Sequence, residues 1–295
     1  MKNNFVLFCK SYRNDVLKCK KLLESVVTYN KDKIPFFLSI PQKDFSVFEK
    51  YINFSAINKE TPLTLLTDEE IAIASDPNGL NYYQSFSGYL HQQVIKSEAW
   101  KLIGCENYLC LDSDSYFTNE FHIKNFFHPD GVPYSLLHES TELLTIARKL
   151  NKTTVIDNFI KDSNLMKIEF GREGPDYDFG PPPMIWNKKV WTSLYENHLV
   201  PRNENIWTAI ERIPAEIRWY GETLLKYNAI PIHAIEPLFN FYHYEWQYNF
   251  LKIHKSNKLY LGEVIQSNWD ETLIPTFAKK NMISRNWKKL KRIFN

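Results

Sequence analysis

Tyr108-Leu109-Cys110-Leu111-Asp112-Ser113-Asp114 is the stretch that decides the fold. The short apolar run reads as a buried strand that stops at two carboxylates one residue apart. Where a strand ends the backbone turns, so residues i and i+2 can face one pocket. Two carboxylates held that close repel unless a cation or a bound group compensates them. Hard divalent ions with oxygen ligands do this, and such ions commonly bridge to substrate phosphates. The plainer alternative is a strand followed by an Asx turn.

Working outward, the first half alternates strands and helices. Phe5–Cys9 reads as a first buried strand, and Asn14–Tyr29 has helical spacing through Val16, Leu22, Leu23, Val26 and Val27. Ile34–Ile40 reads as a second strand, Phe45–Ile52 as a short helix, and Leu63–Leu66 as a third strand stopped at Thr67-Asp68. A long helix, Ser87–Ile103, leads into the Asp112 strand. This order predicts an α/β fold with a mostly parallel central sheet flanked by helices. Ligands then bind beyond the carboxyl ends of the strands, where Ser11, Arg13, Asp68, Asp112 and Asp114 stand. On the long helix Tyr89, Gln93, Lys96 and Trp100 share one stripe, which suits a ligand with phosphates and rings or else a partly solvated face.

The second half is less regular. Gly180-Pro181-Pro182-Pro183 excludes a helix, and an extended run through Met184-Ile185-Trp186 is expected to lead into a helix from Lys188. Pro214-Ala215-Glu216 reads as a helix start, with Glu216 in the first turn, facing a pocket or complementing the helix dipole. His243 lies inside the aromatic run Phe239–Trp246, as a core residue or a metal ligand.

The chain has 295 residues, 44% hydrophobic and 15% aromatic, enough to bury a sizeable core. No glycine-rich phosphate loop appears, which argues against P-loop and GxGxxG enzymes. The cysteines, Cys9, Cys19, Cys105 and Cys110, lack metal-ligand spacing and read as buried free thiols of a reducing compartment. No signal peptide and no membrane-length apolar stretch is read. Residues 279–295 hold seven basic residues and no acid, which leaves −5 for the rest of a chain of net charge +2. Within them Ile283, Trp287, Leu290 and Phe294 form one apolar stripe. That pattern predicts a basic amphipathic helix on an anionic membrane surface, a tail that packs on its own domain being the alternative. With the body acidic, nucleic-acid binding is not expected.

Asp112-Ser113-Asp114, Gly88-Tyr89-x-x-Gln92-Gln93-x-x-Lys96 and Glu216-x-x-x-Tyr220-Gly221 together carry a resemblance. The chain resembles bacterial nucleotide-sugar-dependent glycosyltransferases of the A-type, Rossmann-like fold, within the polysaccharide- and capsule-associated group. The resemblance implies a metal-dependent enzyme that moves a sugar from a nucleotide-diphosphate donor to a glycan or lipid-linked glycan. It implies one transferase domain over 1–275, with a nucleotide-sugar half at 1–118 and an acceptor half at 119–275, and an appendage at 276–295. It implies Mn²⁺ or Mg²⁺ on Asp112, Asp114 and His243. Donor contacts would come from Ser11, Arg13, Asp68, Gln93, Lys96 and Asp112, with Glu216 as catalytic base. The expected location is cytoplasmic, peripheral on the inner face of the cell membrane. A nucleotidyltransferase on a similar sheet is one alternative, although Phe8–Arg13 lacks that class's glycine. A carbohydrate-binding protein that kept the fold is another.

Overall fold

A computed structural model describes residues 4–149, 151–242 and 259–265. His243 and the basic tail at 279–295 lie outside the described residues.

The chain opens with β1 (Phe5–Lys10), α1 (Val16–Tyr29), β2 (Phe36–Ile40), α2 (Phe45–Tyr51), α3 (Phe54–Glu60) and β3 (Leu63–Thr67). Next come α4 (Asp68–Ser75), α5 (Gly79–Ser85), α6 (Gly88–Ile103), β4 (Asn107–Asp112) and β5 (Ser115–Phe117). The second half runs β6 (Ser135–Leu136), α7 (Thr141–Lys149), α8 (Thr153–Phe170), β7 (Met184–Asn187), α9 (Lys188–Leu194), α10 (Ile206–Arg212) and α11 (Glu216–Tyr227). It ends with β8 (Ala234–Ile235), β9 (Phe239–Tyr242) and β10 (Gly262–Ile265).

The central sheet has the order β3-β2-β1-β4-β7. Its first four strands are parallel and β7 is antiparallel to β4. β1 is buried along its whole length because a strand lies on either side and helices cover both faces. Side-chain alternation splits the core into two layers. Val6, Phe8, Tyr108 and Cys110 pack with Val94, Ile95 and Ala99 of α6 and with Trp186, Trp191, Trp207 and Trp219. Phe5, Leu7, Cys9, Leu109 and Leu111 face α1 through Val16, Cys19, Leu22, Leu23 and Val26, and pack against Phe117, Phe121, Phe126 and Phe239. The mostly parallel α/β architecture expected from the sequence is the one found. All four cysteines are buried and unpaired.

Some boundaries differ from the sequence reading. β2 begins at Phe36 rather than Ile34, and Pro35, which has no N–H, contributes only its carbonyl, accepting from Leu7 N at 2.8 Å. Thr67 does not merely end β3. It is the N-cap of α4, exchanging hydrogen bonds with Glu70 in a capping box, so Asp68 opens a helix. The second half is more helical than its sequence suggests, through α7, α8 and α10. Among the described residues, no helix is long and apolar enough to cross a membrane.

Candidate active site

β1 connects to β2 on one side, and the chain later crosses to β4 on the other, so the strand order switches between β1 and β4. The crevice beyond the carboxyl ends of two such strands is where open α/β sheets bind ligands. The register pairs Lys10 with Asp112 there. Ser11 follows Lys10, and its hydroxyl is buried with no hydrogen-bond partner among the described residues. A buried hydroxyl of that kind is costly unless something meets it.

Behind Asp112 stands an ionic triad. Lys96 reaches up from α6 with its ammonium 2.5 Å from Asp112 Oδ1 and 3.9 Å from Glu216 Oε1. Its position follows from the helix period: Gln93 and Lys96 are three residues apart and both face inward, each nearly sealed from solvent. Gln93 Oε1 accepts from Glu216 N at 3.2 Å, which fixes the first turn of α11. Tyr89, one turn earlier on α6, donates from its hydroxyl to Pro214 O at 3.4 Å. Burial opposes the charge on Lys96, but Asp112 and Glu216 outweigh it and hold the ammonium above its usual range. Burial raises the Glu216 carboxyl, Asp112 adds to this, and Lys96 works against it. Glu216 is thereby shifted toward the range of a general base at neutral pH.

Next to the triad lies a cavity of about 970 Å³, lined in part by Lys10, Tyr12, Arg13, Lys43, His91 and Tyr89. That volume suits a sizeable small molecule. Arg13 forms its wall, with its guanidinium 2.7 Å from Asp44 Oδ1 and its backbone N–H on the same carboxylate at 3.0 Å. Burial together with Lys10 and Lys43 pushes His91 down to about 4, so its ring is neutral. Asp68, expected at the donor, is completely enclosed. Its Oδ1 accepts from Ser39 Oγ at 2.6 Å, and its Oδ2 lies 3.5 Å from Lys10 Nζ. It therefore orients Lys10 instead of meeting a ligand itself.

Asp114 keeps different company from Asp112. It lines a small recess with Lys18, Lys21, Ser113 and Tyr116, and its carbonyl accepts from Ile265 N at 3.0 Å. Ser113, between the two acids, bonds to Asp15. Burial raises the Asp15 carboxyl, while Lys18, 3.3 Å away, pulls it down. The structure thus groups Ser11, Gln93, Lys96, Asp112 and Glu216 at one crevice, sets Arg13 on the cavity wall, and places Asp114 on the recess beside α1. Lys10, Asp15 and Asp44 belong to the same end of the sheet and were missed from sequence. A charged residue closing an otherwise apolar strand, as Lys10 does, was the available signal.

Oxygen donors are what Mg²⁺ and Mn²⁺ take. The Asp112 side chain is 32% exposed and meets Lys96 through Oδ1, and the unpartnered Ser11 hydroxyl lies at the neighbouring strand end. These residues fit a hard divalent ion with a phosphate-bearing ligand.

Mouse xyloside xylosyltransferase 1, in its apo form, aligns with 90% of this chain and 98% of its own at 9% identity and a TM-score of 0.49. No curated relative matches the sequence. Residues 5–162 match the profile of DUF6492, described as a family of unknown function. That match spans more than half of the 295 residues, β1 through most of α8, and includes the crevice between β1 and β4. The chain belongs to this family, DUF6492.

Proposed function

We propose that the protein is a metal-dependent glycosyltransferase, moving a sugar from a nucleoside-diphosphate donor to a glycan or lipid-linked glycan acceptor. The observation that carries this is the Asp112–Lys96–Glu216 triad at the switch point of a parallel sheet, beside a cavity walled by Lys10, Arg13 and Lys43. Lys10, Arg13 and Lys43, which share that wall with Asp44 and Glu69, suit a diphosphate beside a partly open carboxylate, and Glu216 sits one lysine away from that carboxylate as an acid–base group.

In this reading Asp112 would hold Mn²⁺ or Mg²⁺, with Asp114 carried as a second ligand on sequence grounds, and the ion would supply positive charge where the leaving diphosphate gains negative charge. Lys10 and Arg13 face the phosphates, and Lys10 is aimed by the enclosed Asp68. Ser11 donates its free hydroxyl to a donor oxygen. Glu216 takes the proton of the acceptor hydroxyl, and Gln93 and Lys96 hold it in place. His243 is carried as a further metal ligand, on sequence grounds. The 279–295 tail is carried as a surface helix that brings the enzyme to the inner face of the membrane, as suits a lipid-linked acceptor of polysaccharide assembly.

The experiment is release of nucleoside diphosphate from a panel of nucleotide sugars with Mn²⁺. Glu216→Gln is expected to lower kcat by about 10²–10⁴-fold while donor affinity holds. A Glu216→Gln enzyme that turns over normally removes Glu216 from the chemistry. Absence of turnover by the wild type on every donor rejects the reading.

A further inference from the structure

His128, Asp130 and His233 meet on the surface, brought together from segments far apart in the chain. Each offers one ligand atom, and all three atoms lie within 4.8 Å of one another. His128-Pro129-Asp130-Gly131 forms a tight turn, in which Gly131 N donates to His128 O at 2.9 Å and Gly131 takes φ 84°. The turn is fixed further by Val132 N donating to Asp130 Oδ1 at 2.9 Å, and by His128 N donating to Val132 O at 2.9 Å. His233 immediately precedes β8. The parallel pairing of β6 with β8 is extended by Ser135 N donating to His233 O at 3.0 Å. Backbone hydrogen bonds thus hold both segments in register before any side chain is considered.

The side chains lie close together. Asp130 spans the histidines, with Oδ1 3.1 Å from His128 Nδ1 and Oδ2 2.8 Å from His233 Nε2. The rings stack with centroids 3.7 Å apart and planes 14° from parallel. His128 Nδ1 is shut off from solvent and, although 3.1 Å from the carboxylate oxygen, makes no aligned hydrogen bond. Simple His–Asp pairing elsewhere is different: His122 Nδ1 meets Asp32 Oδ1 at 2.8 Å as a single pair.

We propose that His128, Asp130 and His233 form a second metal site, separate from the Asp112 crevice, that takes one Zn²⁺-class cation and staples the 128–131 turn to the segment entering β8. Two imidazoles and one carboxylate make a borderline N/O donor set, suited to Zn²⁺ and to Co²⁺, Ni²⁺ or Cu²⁺ rather than to Mg²⁺ or Ca²⁺. With metal–ligand distances of about 2.0–2.2 Å, tetrahedral ligand atoms sit about 3.3 Å apart. The His–Asp contacts at 2.8 and 3.1 Å, on the two oxygens of one carboxylate, lie within a few tenths of an ångström of that spacing, and the rings must turn for both nitrogens to meet one ion. Three protein ligands on an exposed face leave a fourth position for water.

The test uses full-length, untagged protein stripped with a chelator. Calorimetric titration with Zn²⁺ is expected to show one equivalent bound, and the melting temperature should rise with free Zn²⁺, as binding to the folded state requires. His128→Ala and His233→Ala should each weaken binding by at least about tenfold, whereas His122→Ala should bind as the wild type does. Co²⁺ bound to the wild type should show visible absorption distinct from the aqueous ion, a readout that needs no variant to fold. Failure of the wild type to bind one equivalent, a Co²⁺ spectrum identical to that in water, or unchanged affinity in folded His128→Ala and His233→Ala would each overturn the proposal.

Discussion

Lys96 keeps its charge in a place where burial opposes it, because two carboxylates flank it. The consequence for stability depends on Glu216, whose carboxyl burial raises. An acid with a folded pKa above its unfolded value supports the fold fully below the unfolded pKa, and that support is lost as pH rises through the folded pKa. Glu216 therefore weakens the fold as it ionises. Glu216→Gln is expected to match the wild type in melting temperature at pH 4, and to exceed it increasingly as pH rises toward 8. A gap that stays flat with pH, or one of the opposite sign, contradicts the placement of Glu216. Lys96→Met acts in the other direction. It leaves two acids without their shared cation and is expected to cost about 3 kcal/mol at pH 8, read from urea unfolding. At this scale the sequence showed Asp112 through its strand end, Gln93 and Lys96 through helical spacing, and Glu216 through the proline ahead of its helix. It did not show that Asp114 lines a recess with Lys18 and Lys21, because the backbone there is tied to Ile265, far along the chain. The same holds for the His128 cluster, which depends on the non-local pairing of β6 with β8.

At the scale of elements, α11 carries Glu216, the proposed base, and is fixed from two sides. Gly221 lets the helix meet the Phe179 ring: a Cβ there would lie 2.1 Å from ring carbons. Phe179 is itself buried, so the ring has little freedom to give way. Gly221→Ala is expected to cost about 1–3 kcal/mol by overpacking despite the better helix propensity of alanine, and equal or greater stability in urea would refute the close packing. Glu222, the next residue, is completely enclosed and its carboxylate accepts from Arg172 Nε at 2.6 Å and Nη2 at 2.8 Å. Arg172→Ala strands that charge, and a loss of about 3–5 kcal/mol is expected in chemical unfolding. Helices were harder to read here than strands. On α8, Ile160, Leu165 and Ile168 point outward, and Ile168 is 79% exposed. Apolar residues on both faces blur the 3.6-residue period from which a helix is recognised. β1, β2 and β4, buried on both faces, announce themselves as apolar runs.

At the scale of the molecule, the central five-stranded sheet, with helices on either face, presents the cavity, the triad and Lys10 at the carboxyl ends of its parallel strands. The sequence made the α/β order legible because its first half alternates strand and helix with few interruptions. The antiparallel β7 was readable as an extended run after the prolines, but its direction depends on the return of the chain past β4. The basic tail is expected to act on its own. Deleting 279–295 should abolish cosedimentation with anionic liposomes at low salt and leave turnover of a soluble acceptor unchanged. A full-length protein that ignores such liposomes contradicts the membrane role. The central claim, a metal-dependent diphosphate site at the end of β4, is tested most directly by thermal unfolding with a panel of nucleoside diphosphates, each with and without Mn²⁺. At least one nucleoside diphosphate should raise the melting temperature only when Mn²⁺ is present, and Asp112→Asn should abolish that rise. No stabilisation by any nucleoside diphosphate with Mn²⁺, or a full rise retained in Asp112→Asn, would contradict the account.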